Sequence, residues 1–185
     1  KIPLNHQPWE EFASNIKSSF SIAHSGDFLI VKFYSEENEI CASVRKTNEE
    51  VSKDNCVELF ISFDDEQSYY NLEFNCFGNA KVAYGNQRNE RTLLTPSLID
   101  NIKIYPNIES KLNKYQRIEW NILIIIPKEI FIFTSIKTLE GIRGRGNFYK
   151  CGDNFKQRHF LTWNNIITET PDFHQSKFFG DLTFI

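Results

Sequence analysis

The sequence has no methionine and no long apolar run. A helix crossing a membrane needs about 18 or more consecutive apolar residues. The longest run here, Ile122 to Pro127, has the length of a strand. Sustained helical periodicity is also missing, which argues against a sheet with crossover helices. No block of one charge stands out. Lys and Arg number 21 against 24 Asp and Glu, for a formal net charge of −3, so there is no basic footprint for nucleic acid. No G-x-S-x-G elbow presents a nucleophile, and no His-x-x-x-His pair presents zinc ligands. The four cysteines, Cys41, Cys56, Cys76 and Cys151, match no metal-knuckle spacing and leave their pairing open. With no Met and a start at Lys1, the chain reads as the trimmed form of an exported protein, secreted, periplasmic or on the cell surface.

What is present is aromatic and β-forming. Phe 17, Tyr 7 and Trp 3 fall mostly in short runs separated by turn clusters. Such residues fit a pleated, half-buried surface. The runs are 28–34, 39–45, 56–63, 69–76, 117–126, 158–163 and 178–185, with a short helix entered at Pro96 and a strand after it. Short strands at this spacing predict an all-β fold. It is a two-sheet antiparallel β-sandwich, immunoglobulin- or jelly-roll-like, with at most one or two short helices, over residues 1–185 as one domain.

Alternation assigns faces. In 56–63, Val57, Leu59, Ile61 and Phe63 share one side; in 69–76, Tyr70, Leu72, Phe74 and Cys76 do. Pairing apolar with apolar sets Val57 against Phe74 and Leu59 against Leu72. That register puts Glu58 beside Glu73 on the other face, which also carries Asn75. Adjacent carboxylates repel, so the face is solvated, paired with Arg, or bound to a cation or to sugar hydroxyls. Two such acids can also run glycoside hydrolysis, at about 5–5.5 Å for retention or about 6.5–9.5 Å for inversion. Spacing in sequence does not choose among these roles.

Other constellations follow. Arg145, Asn147 and Tyr149 would share a strand face and offer a forked cation, an amide and a phenol. Gly144 and Gly146, on either side of Arg145, would allow close approach of backbone to a ligand. Asp64 and Asp65 in the hairpin turn are oxygen donors for calcium, although the turn lacks the EF-hand pattern. Trp163 and Phe173 flank the late loop 164–172, where rings can stack on sugars. Trp120 reads as core. Cys151 with His159 is the one conceivable thiol dyad.

These segments, in this order, resemble the family 9 carbohydrate-binding modules. Asp54-Asn-Cys-Val-Glu58-Leu-Phe-Ile61 is similar to a characteristic strand of that family, and Tyr69-Tyr-Asn-Leu-Glu-Phe-Asn75 to the strand after it. Ile-Glu-Trp120 leading to Pro127 resembles a later section. Leu161-Thr-Trp163, Pro171-Asp-Phe173-His and Phe178-Phe-Gly180-Asp-Leu182 resemble its ending. Asn147-Phe-Tyr-Lys-Cys-Gly-Asp153 is closest to the family 9-like proteins of polysaccharide-degrading bacteria. The resemblance implies a β-sandwich that binds carbohydrate chain ends without cleaving them, a structural calcium ion, and frequent attachment to xylan-degrading glycoside hydrolases. It makes Glu58 a sugar-contacting acid, Asn147 an amide of the site and Phe173 one wall of an aromatic sandwich. The other wall falls on Ser52, and Glu73 stands where the family places an Arg. Two other functions remain in view: a hydrolase using Glu58 and Glu73, and a protein-interaction sandwich.

Overall fold

The computed structural model describes residues 1–109 and 112–185. Twelve strands run in chain order: β1 (Ile2–Pro3), β2 (Lys17–His24), β3 (Phe28–Glu37), β4 (Cys56–Ser62), β5 (Tyr69–Asn75), β6 (Ala80–Gly85), β7 (Thr92–Leu93), β8 (Lys103–Ile108), β9 (Ile118–Pro127), β10 (Arg143–Gly152), β11 (His159–Thr162) and β12 (Gly180–Thr183). One short helix, α1 (Pro96–Ile99), carries Pro at its start, where the missing N–H is no loss. The strands form two antiparallel sheets. The first has the order β1-β2-β3-β9-β8. The second has the order β11-β10-β4-β5-β6-β7, with β12 also on β10.

Period-2 patterning drives both sheets together. On β3, Leu29, Val31 and Phe33 point inward; on β9, Trp120, Ile122, Ile124 and Ile126 do. They meet Val57, Leu59 and Ile61 of β4 and Tyr70, Leu72 and Phe74 of β5. Phe20 stacks on Phe148 with centroids 3.6 Å apart, so aromatic rings bridge the layers at the centre. The observed β4–β5 register pairs Val57 with Phe74, Glu58 with Glu73 and Leu59 with Leu72, as the alternation requires.

Two local features differ from the sequence reading. Residues 39–45 form no strand. Their backbone N–H groups go to side chains instead: Cys41 N donates to Asn55 Oδ1, and Ser43 N and Val44 N donate to the Asp54 carboxylate. The neighbouring strand already continues through Glu37, paired with β2 as far as Glu36 and with β9 to its end. Strand β2 lies outside the runs named above, although Ser18, Phe20 and Ile22 alternate in the same way.

At one end of the sandwich the inward positions turn polar. Glu37 accepts from Trp120 Nε1 (2.6 Å) and Asn55 Nδ2 (2.6 Å), and pairs with Lys150 Nζ at 3.2 Å. Lys150, fully buried, also donates to the Cys151 carbonyl and to His159 Nε2. His159 therefore keeps its proton on Nδ1, which faces the Gln157 carbonyl.

Candidate functional site

The outer face of the second sheet is not open to solvent. Every residue of β4 and β5 is buried. Trp9, Val51, Ile166, Phe173 and Phe179 roof it and form a second apolar cluster with Cys56, Phe60, Tyr69, Tyr149, Cys151 and Phe160. The roof stops short over Glu58 and Glu73. There a pocket of about 330 Å³ opens, lined by these two acids, Glu50, Ser52, Lys81, Arg88, Asn89, Arg91, Cys151, Asp153, Arg158, Phe160, Pro171, Asp172, Phe173 and His174.

Register builds the floor. Tyr149, Glu58, Glu73 and Lys81 are successive partners across β10, β4, β5 and β6. Glu73 accepts from Asn71 Nδ2 at 2.6 Å and faces Arg91 at 3.6 Å. That last separation is too long for a hydrogen bond. Arg91 Nη1 is buried and has no hydrogen-bond partner among the described residues, so the pocket holds an unused donor. Glu58 accepts from the Cys151 thiol at 3.1 Å. Burial, then the adjacent Glu73 charge, holds the Glu58 carboxyl well above the usual carboxylate range. Burial raises Glu73 too, against the pull of Lys81 and Arg91.

The pocket's charges balance. Five carboxylates face four Lys and Arg side chains, and the raised Glu58 carboxyl removes one negative charge. Such a site offers many donors and acceptors with little net field, which suits a neutral polyhydroxylated ligand better than a charged organic one. His174 adds a neutral ring: burial and then Arg91 push it down to about 2. Its Nδ1 meets the Tyr69 hydroxyl at 2.9 Å.

Of the eight sugar-site residues expected from sequence, the structure brings Glu58, Glu73 and Phe173 to this pocket. Phe173 is no free-standing platform. Tyr149 stacks on it at 4.2 Å and 11°, and Trp9 and Phe160 pack around it. Tyr149 is itself fully buried and donates to the Phe173 carbonyl. Asn147 binds its neighbours: its Nδ2 donates to Asn164 O at 3.0 Å and its Oδ1 accepts from Asn164 N at 2.9 Å. Asn75 donates to Asp54 and accepts from Phe77 N and Asn79 N in the next turn. Arg145 lies elsewhere, pairing with Glu66 and Asp181 and donating to Phe179 O. Trp163 sits edge-on to Phe20 and Phe148. Gly146 admits a strand rather than a ligand: a Cβ there would meet the Phe60 carbonyl at 2.6 Å.

Asn147 thus ties the start of the roof to β10. Asn147→Ala is expected to cost about 1–3 kcal/mol, because it strands the Asn164 backbone groups. Thermal melting checks the loss, and faster amide exchange over 164–179 locates it.

Asp64 accepts from Ser62 Oγ, Ser68 N and Ser68 Oγ, and so holds its own turn closed. Asp65 is exposed. Calcium would have to displace the serines, so the turn as folded does not fit the ion. Cys151 and His159 point to opposite sides of the sheet, the thiol to Glu58 and the imidazole to Lys150, so they form no dyad.

Sequence reasoning missed Lys81, Arg88, Arg91, Asp153, Arg158 and Asp172. Lys81 was within reach, since extending the Glu58–Glu73 row one strand further arrives at it. The others lie on loops whose placement no period encodes. A second and larger groove, about 540 Å³, lies on the first sheet between Tyr34, Trp120, Lys17 and Glu119. It contains none of the eight residues. Among the described residues, no helix is long and apolar enough to cross a membrane.

Known proteins share this fold. The sequence profile of carbohydrate-binding family 9 matches residues 1–184. No curated protein matches. A crystal structure from Bacteroides uniformis, whose own assignment as a carbohydrate-binding protein is provisional, superposes with a TM-score of 0.91 at 31% identity. The match covers 99% of this chain and 85% of that one. A family 9 module from Caldicellulosiruptor kristjanssonii, solved in complex with glucose, gives a TM-score of 0.54 at 12% identity over 94% of this chain and 78% of that one. The same organism's module with cellotriose gives 0.53 at 11%, over 93% and 76%. At these identities the last two share the fold.

Proposed function

The chain belongs to carbohydrate-binding family 9, and from that premise we propose that it binds the ends of oligo- or polysaccharide chains, without cleaving them, in the pocket over Glu58 and Glu73. The observation that carries this reading is the lining of that pocket: balanced acids and cations, an unused Arg91 donor, and the edges of Phe160 and Phe173. At about 330 Å³ it is at the small end of ligand sites and suits a chain terminus. Glucose and cellotriose in the related modules point to plant-type glucans or xylan as the first glycans to try. The same reading puts the protein outside the cytoplasm, in a glycan-degradation system beside a glycoside hydrolase.

A hydrolytic reading has one observation in its favour. Glu58 is raised in the manner of a general acid and has a second carboxylate beside it. We place it second because the matched family is one of binding modules, and because Glu73 is already committed as acceptor to Asn71, with the Arg91 cation 3.6 Å away.

The test is a calorimetric screen of plant oligosaccharides, with each glycan recovered and sized by chromatography. Binding is expected to leave the glycan intact. Arg91→Ala is expected to weaken it by about tenfold or more, since the lost bonds involve a charged donor. Arg143→Ala, exposed and remote, leaves it unchanged. Shortened glycan after incubation would favour hydrolysis. No binding to any glycan would reject the proposal.

A further inference from the structure

The pocket floor contains two thiols to which sugar binding gives no role, beside the Glu58 carboxyl. Cys56 and Cys151 are directly opposite each other on β4 and β10, and Glu58 is two residues along β4 on the same face. All three are buried, and one donor atom from each lies within 4.8 Å of the others. Glu58 Oε1 is 3.9 Å from Cys56 Sγ and 3.1 Å from Cys151 Sγ.

We propose that Cys56, Cys151 and Glu58 form a binding site for one thiophilic divalent cation, with zinc as its representative.

The distances support this. Tetrahedral zinc with Zn–S of about 2.3 Å and Zn–O of about 2.1 Å sets S···O near 3.6 Å and S···S near 3.8 Å. The two S···O separations bracket the first value, and all three donor atoms, the two sulfurs included, already lie within 4.8 Å of one another, so rotamer adjustments of these side chains close the site. Two sulfurs and one oxygen select against calcium and magnesium, which take all-oxygen shells. Cys151 and Glu58 also line the pocket, which leaves the fourth position open to water or a ligand atom. On binding, both thiols and the Glu58 carboxyl give their protons to solvent and each donates an electron pair to the cation; no electron is transferred. Cys41 and Cys76 take no part: Cys76 faces the opposite side of the sheet, into the core.

The inference does not rest on the sugar reading, and its test does not use sugar. Intact reduced protein, stripped with a chelator, is titrated with Co²⁺ at neutral pH under a thiol-free reductant. One equivalent is expected to bind, with an intense near-ultraviolet thiolate-to-cobalt band that Zn²⁺ bleaches and that Ca²⁺ and Mg²⁺ leave alone. Cys56→Ser and Cys151→Ser each weaken binding by more than about tenfold, the scale already seen for losing a ligand's outer partner. Cys41→Ser and Cys76→Ser do not. X-ray absorption on the zinc-loaded wild type, which needs no variant, is expected to show two sulfur ligands at about 2.3 Å. Absence of the band, its survival in both Cys56→Ser and Cys151→Ser, or an all-oxygen and nitrogen shell would overturn the proposal.

Discussion

Lys150→Met is expected to destabilise the protein by about 3–5 kcal/mol, the cost of leaving a buried charge without its partner. For a chain of this size that is a fall of roughly 6–20 °C in Tm. Lys150 is fully buried and bonded to Glu37, His159 and the Cys151 carbonyl. Methionine replaces its volume but leaves the Glu37 carboxylate with the neutral donors Trp120 and Asn55 and, at 3.5 Å, the His159 ring. Adding Glu37→Gln to Lys150→Met is expected to recover most of the loss, because the isolated charge is then gone. Urea or thermal melting of the two variants checks this. Equal stability of wild type and Lys150→Met would show that the cluster does not hold the two sheets at this end.

The second large effect is acid sensitivity through His159. Burial, then Lys150, push its imidazole down to about 3 from an unfolded value near 6.5. The unfolded chain therefore takes up a proton that the folded protein refuses. His159 contributes its full stability above pH 6.5, and that contribution is lost as pH falls towards 3. The slope is about 1.4 kcal/mol per pH unit, so the loss between pH 6.5 and 4.5 is about 2–3 kcal/mol from this residue. His159→Gln keeps an acceptor for Lys150 and does not titrate. Its stability is expected to fall less steeply with acid, while groups common to both proteins cancel in the difference. Chemical denaturation at several pH values measures both slopes, and parallel curves would refute the assignment.

Much of this fold was legible because its code is simple. Alternation in 56–63 and 69–76 set the register, and with it the meeting of Glu58 and Glu73. Trp120 in the core followed from the same argument. What alternation cannot show is what covers a face. The row containing Asn147 and Tyr149 read as a polar surface, yet Phe173, Phe179 and Trp9 arrive from distant segments and bury it. An amide and a phenol thereby became struts of the roof. Residues 39–45 have strand-like composition, but Asp54 and Asn55 take their backbone donors first. Arg91, the pocket's unused donor, reaches Glu73 from a turn that has no periodic signature.

The most direct test of the central claim is a crystal structure with the tightest-binding oligosaccharide from the screen. The account predicts a chain end seated over Glu58 and Glu73, with a sugar hydroxyl on Arg91 Nη1. A glycan lodged instead in the groove beside Tyr34 and Trp120 would contradict it.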